Sequence, residues 1–139
     1  MFKKILVPLD GSKMAERILP HVEKMVKFCR GEVTLLQVVI SYKIDPREVR
    51  EEKKKLIEQA QAYLEGVARK WRGRNLRVQT EVAYGKDSVQ ICDYARRKGF
   101  DLIAMATHGK TGLKRLALGS VADQVLHCSR VPVMLYRVA

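Results

Sequence analysis

The feature that most constrains this chain is a repeated alternation of two patterns. Short continuous apolar runs, suited to strands buried on both faces, are followed by longer stretches whose apolar residues recur about one helical turn apart. Residues 5–9 and 33–40 are such runs, and 102–106 and 131–138 repeat them later. Residues 76–82 instead alternate Leu76, Val78, Thr80 and Val82 with Arg77, Gln79 and Glu81, which predicts a half-exposed strand nearer a sheet edge.

Between the runs lie helical segments. Ser12 is placed to cap a helix carrying Ile18, Val22, Val26 and Cys29, and Pro20 predicts a kink or a later start; Gly31 is the stop. After a loop at 42–47, a long amphipathic helix carries Leu56, Ala60, Leu64, Ala68 and Trp71 up to Gly73. Asp87 or Ser88 caps a third helix that ends at Gly99, and a fourth runs from about 120 to 127. Five strands alternating with four helices predict an α/β fold with a doubly wound, five-stranded parallel sheet and helices on both faces. No linker, repeat or low-complexity tract divides the chain, so residues 1–139 are expected to form one domain.

Composition bounds the functions open to such a fold. With 47% hydrophobic and 30% charged residues the chain is globular, and no apolar run nears the roughly 20 residues that span a bilayer. Met1-Phe2-Lys3-Lys4 has the basic start of a signal peptide, but the apolar stretch ends at Asp10 without a small-residue cleavage site, so it reads as a first strand. Cys29, Cys92 and Cys128 form no C-x-x-C pair; free, packed thiols and a reducing, cytoplasmic location are expected. The net charge of +12 would suit nucleic acid, an anionic surface or a phosphorylated small molecule. Because Arg50 and Lys53–Lys55 are interleaved with Glu48, Glu51, Glu52 and Glu58, and stacking aromatics are few, a solvated helix face is favoured over nucleic acid.

In open α/β sheets, ligands sit outside the C-terminal strand ends, where the strand order reverses. The first strand ends in Pro8-Leu9-Asp10-Gly11-Ser12. The fourth ends in Met105-Ala106-Thr107-His108-Gly109, and the chain then runs through Lys110, Gly112, Lys114 and Arg115 to Gly119-Ser120-Val121. Glycine amides, a helix N-terminus at Ser120 and the loop cations together describe a polyphosphate cradle. A turn shaped by Gly109 and Gly112 with a helix capped by Ser120 would use the same residues. Neither G-x-x-x-x-G-K-[ST] nor G-x-G-x-x-G is present.

At this loop the chain resembles the universal stress protein family, whose ATP-binding members carry G-x2-G-x9-G-[ST] before the last helix. Gly109, the nine residues 110–118 and Gly119-Ser120 match its second half, and the first glycine of the motif falls on Ala106. Lys4-Ile5-Leu6-Val7-Pro8-Leu9-Asp10-Gly11-Ser12 resembles the family's opening strand, Leu35-Leu36-Gln37-Val38-Val39 its second, and Pro132-Val133 its last. The resemblance implies the strand order 3-2-1-4-5 and a crevice between strands one and four. It also implies that Pro8, Leu9 and Asp10 line the adenosine end, with Asp10 facing ribose or a metal such as Mg²⁺ or Mn²⁺ on the phosphates. Val38 would meet adenine through its backbone, Met105 and Ala106 would border the sugar, and His108, Gly109, Gly119, Ser120 and Val121 would hold the phosphates. Asp10 could instead cap the following helix.

The expected function is therefore an ATP-binding switch or sensor in stress response, with ATP or AMP as ligand and a homodimer formed through 131–138. No residue orients an attacking water and no Walker-type lysine is present, so turnover is expected to be slow or absent. The alternative is a dimeric interaction module of the same fold that binds no nucleotide.

Overall fold

The computed structural model describes residues 2–108 and 120–138. Its centre is a five-stranded, all-parallel sheet in the order β3-β2-β1-β4-β5. The strands are β1 (Lys4–Pro8), β2 (Glu32–Val39), β3 (Arg77–Tyr84), β4 (Leu102–His108) and β5 (Val133–Val138). The helices between them are α1 (Leu19–Cys29), α2 (Pro46–Arg72), α3 (Asp87–Arg97) and α4 (Ser120–Cys128). The fold class and strand order are those expected.

Side chains alternate across the central strands and so divide the interior in two. Ile5, Val7 and Leu9 pack with Val33, Leu35 and Ala104 beneath α1 and α2, where Val22, Val26, Leu64 and Trp71 meet them. Leu6, Leu36, Ile103 and Met105 point the other way, against Ile91 and Ala95 of α3 and Val125 of α4. Each fully buried aliphatic contributes about 1.5–3 kcal/mol relative to exposure, which is why the apolar runs are continuous rather than alternating.

Local chemistry sets the boundaries. The segment after β1 opens as a 3-10 turn at Ala15–Ile18, and α1 proper starts at Leu19 with Pro20 in its first turn, where its missing N–H costs nothing. Asp45 caps α2 by accepting from the Arg47 amide at 2.8 Å. The α3 cap differs from expectation: Lys86 occupies the N-cap without a side-chain bond, while Asp87 Oδ1 accepts from the Ser88 amide at 2.6 Å. At the end of α1 the left-handed residue is Arg30, at φ 55°. Gly31 is needed for space, since a Cβ there would lie 2.9 Å from the carbonyl oxygens of Phe2 and Lys3.

The expectation of free thiols is corrected at two of three positions. Cys92 of α3 and Cys128 of α4 form a disulfide, with Cα atoms 6.2 Å apart, and only Cys29 is free. The two helices lie side by side on one face of the sheet, which brings together cysteines 36 residues apart in sequence. No helix among the described residues is long and apolar enough to cross a membrane.

Candidate functional site

The sheet forks at its middle. β1 pairs with β2 as far as Pro8↔Leu36, and β4 pairs with β5 as far as His108↔Val138. The β1–β4 register, by contrast, covers only Ile5↔Leu102 and Leu6↔Ile103. Beyond those pairs the strands part, and Pro8, with no N–H, cannot extend the ladder. This is also where the order reverses, because the chain winds outward from β1 to β2 and β3 and then returns to β4 and β5.

A cavity of about 200 Å³ occupies the fork. One wall is Pro8, Leu9 and Asp10 with Met14 and Ala15 of the following turn, and the opposite wall is Met105, Ala106, Thr107 and His108 of β4. Leu36 and Val38 of β2 supply the floor, with Asp87 and Ile91 of α3 and Val121 and Ala122 of α4 closing one side. The structure thus brings eight of the expected residues into one space: Pro8, Leu9, Asp10, Val38, Met105, Ala106, His108 and Val121. Ser120 begins α4 and so places a helix N-terminus at this end of the sheet, where unpaired amides and the macrodipole favour an anion. Gly109 and Gly119, with Lys110, Lys114 and Arg115, lie outside the described residues, as does the Ser120 side chain.

The β1 side is held by a chain of short-range bonds. Gly11 sits at φ +89°, a conformation costly for a side chain, and lets Asp10 Oδ1 accept from the Ser12 amide at 2.9 Å. Ser12 Oγ in turn accepts from the Ala15 amide at 3.1 Å. Asp10 therefore both orders the turn and stays exposed at the cavity. One residue past Ala15, Glu16 accepts from the Tyr63 hydroxyl of α2, tying the turn to the long helix. Burial first, then the bond to Glu16, holds the Tyr63 phenol well above its usual range, and the charge of Asp10 adds to this.

Chemically the described walls are apolar, with two carboxylates, a threonine and a histidine at the edges. That suits a flat heteroaromatic group with polar edges better than a fully hydrophilic one. Among the described residues no group of three or more His, Cys, Asp or Glu side chains is placed to hold a metal. Met14, Ala15, Leu36, Asp87, Ile91, Thr107 and Ala122 also line the cavity, though none is among the residues expected to contact a ligand. The sequence signal for most of them is position: Thr107 lies at the end of a strand, and Met14, Ala15, Asp87 and Ile91 follow a strand within its next turns.

Comparison with known proteins agrees with this architecture. The family model described as "Universal stress protein family" matches residues 1–137. The universal stress protein MJ0577 of Methanocaldococcus jannaschii is 32% identical, with 99% of this chain and 96% of that protein aligned. Its solved structure superposes with a TM-score of 0.86 at 35% identity, covering 100% of this chain and 98% of the other. The universal stress protein YxiE of Bacillus subtilis is 31% identical over 99% of this chain and all of its own length. A family protein from Arabidopsis thaliana solved with AMP bound shares the fold at a TM-score of 0.72 and 18% identity, over 99% of this chain and 92% of that one. From the family match, the full-length relatives and the forked sheet together, the chain belongs to the universal stress protein family.

Proposed function

We propose that the chain is a single nucleotide-binding domain, residues 1–139, that holds ATP or AMP in the fork and acts as a nucleotide-dependent switch in stress response. The observation that carries this reading is the cavity itself: an apolar slot at the topological switch point, with a helix N-terminus at one side and Asp10 at the other. Adenine fits against Val38 and Met105, the ribose beside Asp10 and Ala106, and the phosphates toward His108, Gly109, Gly119, Ser120 and Val121. The AMP bound by the Arabidopsis thaliana protein supports the reading as an analogy of fold. Bound phosphates would change a surface that a partner reads. A metal, Mg²⁺ or Mn²⁺, would travel with the phosphates beside Asp10.

Calorimetric titration with ATP tests this directly. Ala106→Phe, which drives a ring into the fork, should abolish ATP binding while the thermal unfolding transition stays cooperative. Undiminished binding by that variant would remove the site.

The proposal includes a homodimer through residues 131–138 and a cytoplasmic location, where ATP is abundant. β5 is the last strand of the sheet and, among the described residues, pairs only with β4, which leaves its outer edge for a second copy. Light scattering should give twice the 15.9 kDa chain mass, and a monomer at micromolar concentration would refute the dimer. The second reading, a dimeric module without nucleotide, is favoured by the Ala106 methyl group where the family motif has glycine. Native mass spectrometry separates the two readings, because the binder should carry adenine nucleotide through purification.

A further inference from the structure

We propose that Cys92–Cys128 is a thiol–disulfide exchange site whose oxidation state sets how tightly the fork holds its ligand. The inference rests on the nucleotide reading for the ligand only; the redox site itself stands on the geometry of α3 and α4.

Both cysteines belong to the helices that close the cavity. Cys92 directly follows Ile91, a lining residue of α3. Cys128 is the last residue of α4, whose first turn carries the lining residues Val121 and Ala122. Apart from the disulfide, α4 is tied to α3 by the Ser88 hydroxyl, which donates to Gln124 Oε1 at 2.8 Å, and by Val125 packing against Ile91 and Ala95. Among the described residues α4 buries two apolar side chains, Ala122 and Val125, and sets Val121 half-buried against the same cluster. Oxidised, the bond clamps the C-terminal end of α4 to α3 and holds its N-terminal end against the cavity; reduced, α4 can pivot about Val125.

Accessibility and chemistry fit exchange rather than a buried structural staple. Cys128 is exposed and Cys92 half-buried, and the pair lines a shallow cleft with Arg96, Arg130 and Asp93, of which Asp93 pairs with Arg96 at 3.1 Å. A thiolate of a dithiol reductant attacks Cys128 Sγ. The Sγ–Sγ bond breaks, and its electron pair leaves on Cys92, which takes up a proton. The reductant's second thiol then displaces Cys128, which is protonated in turn, and the reductant departs as a disulfide. Two electrons and two protons have entered the protein. The carbonyl oxygens of Val125 and Ser88 already lie 3.8 and 3.6 Å from Cys92 Sγ and Cys128 Sγ, so both new thiols have acceptors at hand.

The test uses the full chain, oxidised with glutathione disulfide or reduced with dithiothreitol. ATP affinity is measured by calorimetry, and amide hydrogen exchange is followed across Ser120–Cys128. The oxidised form should bind ATP about tenfold more tightly and exchange more slowly at α4, within the range that site–site coupling usually spans. By reciprocity, saturating ATP should then shift the dithiol/disulfide midpoint about 30 mV toward the more negative. The Cys92→Ser/Cys128→Ser variant should show neither response, which excludes Cys29 as the source. Equal affinity and equal exchange in the two forms would overturn the proposal and leave nucleotide binding intact. Resistance of the native bond to dithiothreitol would also overturn it. ATP binding to neither form, with the exchange difference present, would refute the nucleotide reading instead and keep the redox-controlled wall.

Discussion

The two helical layers that cover the sheet are built on different principles. On the α1/α2 side a 27-residue helix lays Leu64, Ala68 and Trp71 on the sheet, and polar bridges reach outward from it. Gln61 and Glu65 both engage Thr80 of β3, Arg72 pairs with Glu65 at 2.8 Å, and Tyr63 holds Glu16. On the α3/α4 side the helices have 11 and nine residues, and a covalent bond stands where the other layer has apolar area. The cavity opens on this second, thinner layer. Under the nucleotide and redox proposals the two faces divide the work: the first anchors the sheet, and the second supplies the Ile91, Val121 and Ala122 side of the cavity, the side proposed to shift.

If that division holds, perturbing the thick layer should change stability without changing affinity. Leu64→Ala should cost about 2–5 kcal/mol in denaturant unfolding and leave ATP affinity of the folded fraction unaltered. A parallel loss of affinity would show that the layers are not separable. Removing the bond in Cys92→Ser/Cys128→Ser should cost about 2–4 kcal/mol, as expected for a cross-link spanning 36 residues, and here affinity should fall as well. Ser12→Ala removes the hydroxyl that accepts from Ala15 and should cost about 1 kcal/mol by thermal unfolding, with a small loss of affinity through Asp10.

The smallest effect concerns pH. Tyr63 titrates above its ordinary value of 10.0 when folded, so its protonated form is favoured in the native state. Its contribution is complete below pH 10 and is lost as pH rises toward the folded value, because there the unfolded chain binds fewer protons. Tyr63→Phe should therefore flatten the alkaline limb of the stability–pH curve, measured by urea unfolding between neutral pH and pH 11. An unchanged limb would mean that the bond to Glu16 does not anchor the thick layer to the turn.

Much of this was legible in the residues. Continuous apolar runs gave the buried parallel strands, and the alternation at Val78 and Val82 gave β3 as an edge, because burial on one face or two writes itself directly into hydropathy. The strand order entered through resemblance to the family, and so did most of the fork residues. What escaped detection was whatever depends on two helices meeting. Asp87 reads as a helix cap until α3 is seen at the fork, and Met14 and Ala15 reach the cavity through the 3-10 turn that precedes α1. Cys92 and Cys128 carry no spacing signature; their pairing follows from the shared face of α3 and α4, a tertiary fact with no local trace.

The early end of the β1–β4 register has a further consequence for how this scaffold can diversify. The position of the opening is dictated by main-chain pairing and by a proline, not by the size of any lining group. Exchange of side chains around it can retune which guest is preferred while the doorway itself stays in the same place. A change that let the two strands zip past Leu6 and Ile103 would shut it, whatever residues surrounded it.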